Sequence, residues 1–178
     1  NGLYDAKLDG QPVLAITGMA YHDLIHTYTQ QDVELDKLFE DVTVYNNRIM
    51  GPAHVKNVTE LACRTALLSR GVAHITFPVD LQDMELKKDQ RSERNVRGHT
   101  SSTYARSAGL PDEALLHHAA QLLNEGQKVA LLVGAGALGA TAELEQAADL
   151  LGAPIIKALL GKAAVPDDSP FTTGGIGL

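Results

Sequence analysis

Short apolar runs in this chain alternate with longer stretches in which apolar residues return every three or four positions. Pro12-Val-Leu-Ala-Ile-Thr17 lies between Asp9-Gly10 and Gly18, which predicts a buried strand. Val42-Thr-Val-Tyr45 predicts a second. Between Ala53 and Ser69 the apolar positions Val55, Val58, Leu61, Ala62, Thr65 and Ala66 share one helical face, with Leu68 beyond them. Gly71 stands where a left-handed C-cap belongs. Ala73-His-Ile-Thr-Phe-Pro78 is then a third strand. Strand, helix and strand joined by short turns predict a right-handed crossover and a parallel sheet.

A polar stretch from Asp83 to Gly109 shows little periodicity, and a stretch that long reads as a linker or a functional loop. The grammar then returns. Pro111 is placed to open a helix at its first position, with Asp112 and Glu113 at the positive end of the dipole. Leu115, Leu116, Ala119, Leu122 and Leu123 form its expected buried stripe. Gly126 and the strand Val129–Val133 follow. A glycine turn leads into a helix with Leu144, Ala147, Ala148 and Leu151 on one face. Gly152 closes that helix and Pro154-Ile-Ile-Lys157 begins another strand. The fold class expected is α/β, with parallel sheets in three-layer α/β/α units. Residues 1–82 and 110–178 form two incomplete domains joined by a linker over 83–109.

Composition narrows the function. The 178 residues carry a formal net charge of −7, which argues against a nucleic-acid partner because phosphate binding needs a basic face. The basic cluster of Lys87, Lys88, Arg91, Arg94 and Arg97 is interrupted by Asp89 and Glu93 and reads as a solvated linker. No stretch is apolar and long enough for a transmembrane segment, and no signal-peptide pattern opens the chain. Cys63, the single cysteine, is expected buried and inert, and it fits a cytoplasmic setting. Because the first residue is Asn1 and not Met, the sequence is expected to begin inside a longer product or to follow processing.

Gly134-Ala-Gly-Ala-Leu-Gly139 is a G-x-G-x-x-G element set after a strand and before a helix. Its glycines would let a diphosphate approach backbone N–H groups at a helix N-terminus. The ribose-binding acid of an NAD site belongs ~20 residues further on, where Pro154-Ile-Ile-Lys157 offers none. Cofactor contact through Gly134, Gly136 and Gly139 and plain helix–sheet packing both remain open. His22 and His26 have the i, i+4 spacing of a metal pair but no Glu follows His22, so a polar loop is the better reading and no metal ligand is assigned. His117 and His118 are expected at the surface, and His74 half-buried with a hydrogen bond. Ser101, Ser102 and Thr103 have no partnered base.

Several of these segments together resemble the pyruvate oxidase, pyruvate dehydrogenase (quinone) and acetolactate synthase family of thiamine-diphosphate enzymes. Asn1-Gly-Leu-Tyr-Asp-Ala-Lys7 with Pro12–Gly18, and Arg70-Gly-Val-Ala-His-Ile-Thr-Phe-Pro-Val-Asp80, are similar to the end of its pyrimidine-binding domain. Gly134–Gly136, Leu151-Gly-Ala-Pro154 and Gly161-Lys162 before Pro166 are similar to the start of its central domain. The resemblance implies a parent enzyme that uses thiamine diphosphate, Mg2+ and, in the oxidases, FAD. The cofactor takes up the electrons freed when a 2-keto acid such as pyruvate loses CO2. It also implies a homo-oligomer with the active site between subunits.

The family's activating glutamate falls upstream of Asn1, and no Gly-Asp-Gly metal motif is present, so no turnover by this chain alone is expected. The chain's end, Gly174-Gly-Ile-Gly-Leu178, is expected to fall within the central domain, and the cut sheets to self-associate or to be met by a companion segment of the same parent. Where family members carry Phe-Gln-Glu, this chain has Gln30-Gln31-Asp32. Gln31 keeps an amide able to bond substrate, Gln30 replaces an aromatic wall, and Asp32 shortens the acid by one methylene. The alternative is an exposed polar loop. Gly161 and Lys162 lie beside the flavin in the resembling oxidases, although a lysine there can equally be solvated. Three functions follow: an oxidative 2-keto acid decarboxylase, an acetolactate-synthase-like carboligase, or a non-catalytic nucleotide-binding module.

Overall fold

A computed structural model describes residues 1–87, 91–105 and 109–177. The chain divides into two compact units, Asn1–Ser107 and Ala108–Leu178. Each is α/β and each holds a three-stranded, wholly parallel sheet.

In the first unit, helix α1 (Gly2–Leu8) leads into strand β1 (Val13–Met19), and the loop beyond it carries a short helix α2 (Leu35–Leu38). Strand β2 (Thr43–Arg48), helix α3 (Pro52–Ser69), strand β3 (Val72–Pro78) and the turn of helix α4 (Val79–Gln82) follow. The order is β1-β3-β2, so the last strand is the middle one. With partner strands on both edges and α1, α3 and α4 packed on it, β3 is withdrawn from water, and Val72–Thr76 are all buried. Val58, Ala62 and Ala66, one turn apart on α3, pack with Ile49, Ala73, Ile75 and Leu81 into the core.

Arg70, with φ 50°, takes the left-handed C-cap expected of Gly71. Gly71 is needed for closeness instead, because a Cβ there would meet Val44 Cγ1 at 2.8 Å. Cys63 is partly exposed, one position off the Val58-Ala62-Ala66 line. Within the polar stretch, Lys88 and Asp89 lie outside the described residues, while Arg91, Arg94 and Arg97 are exposed. Residues 95–101 run along α3: Asn57 Nδ2 donates to Asn95 Oδ1 at 3.0 Å and Thr100 Oγ1 to Asn57 Oδ1 at 3.2 Å.

In the second unit, helix α5 (Glu113–Glu125) precedes strand β4 (Leu131–Val133), helix α6 (Thr141–Leu151), strand β5 (Ile155–Ala158) and strand β6 (Thr172–Ile176). Asp112 is the N-cap of α5, its Oδ1 accepting from the Ala114 N–H at 2.8 Å, so Pro111 stands ahead of the helix and not in its first turn. The stripe expected to be buried on α5 is exposed: Leu115 is 65% and Leu122 57% accessible, and α5 buries no residue. Periodicity reports an apolar face, and no described element covers this one. Leu144 and Ala148 of α6 do face the core, with Val133, Ile155, Ala164 and Val165. Gly152, at φ 59°, is the left-handed cap of α6.

Gly161 is buried where two backbones meet. A Cβ on it would lie 2.3 Å from the Val133 carbonyl oxygen and 2.7 Å from Gly134 Cα. Gly161→Ala is expected to lower the unfolding free energy of the chain by about 1–3 kcal/mol in urea denaturation, since neither clashing group is a movable side chain. Gly136→Ala, whose Cβ meets nothing within 4 Å, is expected to change it by less than about 0.5 kcal/mol.

Candidate functional site

Parallel pairing of β1 with β3 and of β3 with β2 brings Met19, Arg48 and Pro78 to one edge, the carboxyl ends of the strands. Loops at that edge are where open α/β sheets place ligands. A cavity of about 470 Å³ opens there, walled by Gly18–Tyr21, Leu24, Thr29, Gln30, Gln31 and Val79. Gln31 and Gln30, singled out from sequence, therefore do line a cavity at the end of β1.

The loop holding them is unusual in its backbone. His26, Tyr28 and Gln31 adopt φ values of 65°, 61° and 63°. Each left-handed non-glycine residue costs roughly 1–2 kcal/mol, so three within six positions need compensation. Asp32 supplies it. Its Oδ1 accepts from the His26 N–H at 3.1 Å and its Oδ2 from the Tyr28 N–H at 3.0 Å. The His26 N–H bond is the main reason the Asp32 carboxyl lies below its ordinary range. The acid next to Gln31 is thus spent on folding the loop, and it does not line the cavity.

Tyr21 and Thr29 were not singled out from sequence. Tyr21 gives the cavity an aromatic ring where Gln30 cannot, and its only signal was its place three residues after Gly18. Thr29 Oγ1 is buried without a hydrogen-bond partner beside the cavity. An orphaned buried hydroxyl costs free energy unless something else satisfies it.

His22 and His26 sit in a 3₁₀ turn and a left-handed bend, not on one α-helical face. The His22 backbone N–H donates to Asp80 Oδ1 at 3.0 Å and its Nδ1 pairs with Asp80 Oδ2, tying the loop after β1 to α4. His26 Nδ1 lies 3.7 Å from Glu34. Among the described residues, no three His, Cys, Asp or Glu side chains are grouped to hold a metal ion. His117 and His118 are exposed.

In the body of the sheet, His74 is fully buried and not half-buried as expected, because β3 is the middle strand. Its Nε2 is 2.8 Å from Thr17 Oγ1, its Nδ1 is 2.7 Å from Asn46 Oδ1, and Phe39 packs on the ring at 4.2 Å between centroids.

In the second unit the glycine turn joins β4 to α6 through a 3₁₀ turn, Ala135–Ala137. Gly134 is extended, Gly139 has φ 88°, and a Cβ on Gly134, Gly136 or Gly139 would meet nothing within 4 Å. Gly161 is in place to serve packing, while Lys162 is exposed. The strong cation of this unit is one the sequence did not mark: Lys157 is 2% exposed, with Nζ donating to the Val165 carbonyl at 3.1 Å and paired with Asp167. That pairing holds the Asp167 carboxyl below its ordinary range.

Residues 116–178 match the family described as "Thiamine pyrophosphate enzyme, central domain". Over 177 residues the chain is 34% identical to YdaP of Bacillus subtilis, a protein named as thiamine pyrophosphate-containing, covering 99% of this chain and 30% of that protein. It is 29% identical to the chloroplastic acetolactate synthase 2 of Nicotiana tabacum, covering 100% of this chain and 26% of the relative. It is also 29% identical to the pyruvate oxidase of Lactiplantibacillus plantarum, covering 98% and 28%. The chain thus spans 26–30% of the length of these three relatives.

The His22–Asp80 pair predicts a pH response. Its hydrogen bond to Asp80 raises the His22 pKa above 6.5. A raised histidine pKa adds stability that is complete below the unfolded-state value and is lost as pH rises through the folded-state value. Burial opposes ionisation of Asp80, but the His22 bonds outweigh it and leave its pKa below 3.8, so its share is lost as pH falls through that lowered value. In an NMR titration His22 is expected to titrate above 6.5, and in Asp80→Asn to fall back toward it.

Proposed function

We propose that this chain, which belongs as a partial homologue to the thiamine pyrophosphate enzyme family of acetolactate synthases and pyruvate oxidases, walls the substrate side of a 2-keto acid decarboxylase of the oxidase type. The observation that carries the reading is the cavity at the carboxyl end of β1, with Gln30, Gln31, Tyr21 and the unpartnered Thr29 hydroxyl on it. Its volume of about 470 Å³ is in the range of small-molecule sites. In the parent, thiamine diphosphate supplies an electron sink for decarboxylation.

The residues fit part of that cofactor's needs. An aromatic ring, two amides and an orphaned hydroxyl suit a ring system with a keto acid beside it. No carboxylate lines the cavity, and no described cluster suits Mg2+, so proton removal from the cofactor and its diphosphate anchoring are not assigned to this chain. Its own residues do three things in this reading. Gln31 donates from its amide to a substrate carboxylate or carbonyl oxygen. Thr29 Oγ1 gains the partner that it lacks. Tyr21, Leu24 and Val79 exclude water from the reacting carbon, which strengthens those bonds.

FAD enters through the second unit. The space above Gly134, Gly136 and Gly139 lets a diphosphate reach the backbone ahead of α6, and the exposed Lys162 follows Gly161, which packs on Gly134. Gly161 serves by closeness and Lys162 by charge. This supports the oxidase over the carboligase only to the extent that the flavin is redox-active. The non-catalytic nucleotide-binding alternative would use the same turn without the cavity. Cytoplasmic residence and a homo-oligomeric parent belong to the same proposal; among the described residues no helix is long and apolar enough to cross a membrane.

Two measurements test it in the full-length protein that carries this chain. Anaerobic pyruvate is expected to bleach the bound flavin; persistent yellow colour with acetolactate formation would move the assignment to the carboligase. Gln31→Leu is expected to lower kcat/KM for the keto acid roughly 10- to 100-fold, the worth of one hydrogen bond to a charged group. An unchanged value removes Gln31 from the site.

A further inference from the structure

The loop that walls the cavity is tied to the sheet at α2 by a hydrogen-bond chain with one consistent direction. Asn46 Nδ2 donates to the Asp36 carbonyl oxygen at 2.5 Å, so Asn46 Oδ1 meets His74 Nδ1 as an acceptor at 2.7 Å. Nδ1 therefore carries the ring proton. In a neutral imidazole Nε2 is then a bare acceptor, and the Thr17 hydroxyl, 2.8 Å away, donates to it. Full burial disfavours the imidazolium and lowers the His74 pKa, while the Asp36 carboxylate, itself paired with Arg48, acts weakly in the other direction.

This chain crosses all three strands, Thr17 on β1, His74 on β3 and Asn46 on β2, and it ends on α2. His74 grips α2 twice, through Asn46 to Asp36 and directly through the Phe39 ring. Only three residues separate Gln31 from α2. We propose that His74 is a positioning residue whose Nδ1–H tautomer, held between Thr17 and Asn46, seats α2 and so fixes the Gln30–Gln31 edge of the cavity. The proposal rests on the reading of Gln31 as a substrate-side group, but the seat itself can be tested without substrate.

In the ¹⁵N-labelled 178-residue chain, His74 is expected to show a protonated Nδ1 and a bare Nε2 at neutral pH. Asn46→Asp keeps an acceptor for Nδ1–H and removes the donor to Asp36. His74 should then keep its Nδ1 proton, while the amides of Lys37, Leu38 and Phe39 exchange roughly fivefold faster, the worth of one neutral hydrogen bond. The Ala153 amide, in the other unit, should not change. Thr17→Val, which leaves Nε2 without a donor, should speed the same amides by a similar factor and serves if Asn46→Asp fails to fold. An Nε2–H tautomer in the unsubstituted chain, or wild-type exchange at these amides in a folded variant, would overturn the proposal. Neither readout uses thiamine diphosphate or a keto acid, so failure here is distinct from failure of the proposed function.

Discussion

Everything at the candidate site depends on β3 lying between β1 and β2 and pairing in parallel with both. Parallel pairing sends the three chain ends the same way, so the loops after Met19, Arg48 and Pro78 meet at one edge. Strands on both edges and helices packed on it remove β3 from water, which obliges any polar residue on it to find partners inside. His74 meets that obligation by reaching sideways to Thr17 and Asn46. One topological fact thus gathers the loops and also forces the polar bridge that holds one of them.

In the loop after β1, backbone strain and the cavity wall fall on neighbouring residues. Left-handed backbone at His26, Tyr28 and Gln31 is costly without glycine, and the carboxylate of Asp32 offsets it with bonds to two loop amides. With both carboxylate oxygens engaged by loop amides, Asp32 shapes the wall and does not line the cavity. The cavity's aromatic ring comes from Tyr21, close to the end of β1.

Most of the fold was legible in sequence because it rests on local patterns. The apolar runs at Pro12–Thr17 and Ala73–Pro78 fall within one residue of the start of observed strands, and the α3 stripe names its core positions. What sequence could not give was coverage. The leucines of α5 have a helical period, yet nothing described packs on them, because periodicity records a face and not its partner. Similarly, Gly71 reads as a cap and is instead a point of close approach to Val44, a long-range fact. At the cavity, the loop of Gln30 and Gln31 was marked through family resemblance, whereas the places of Thr29 and Tyr21, like the Lys157–Asp167 pair of the second unit, depend on contacts that no spacing rule encodes.

In the proposed parent enzyme, the cavity at the end of β1 would face thiamine diphosphate and a keto acid together. Calorimetric titration of the full-length protein with thiamine diphosphate and Mg2+, repeated with a non-reactive keto-acid analogue present, probes this placement. Saturable heat for the cofactor and tighter analogue binding once the cofactor is bound are expected. No heat with the cofactor, or analogue binding indifferent to it, would rule the placement out.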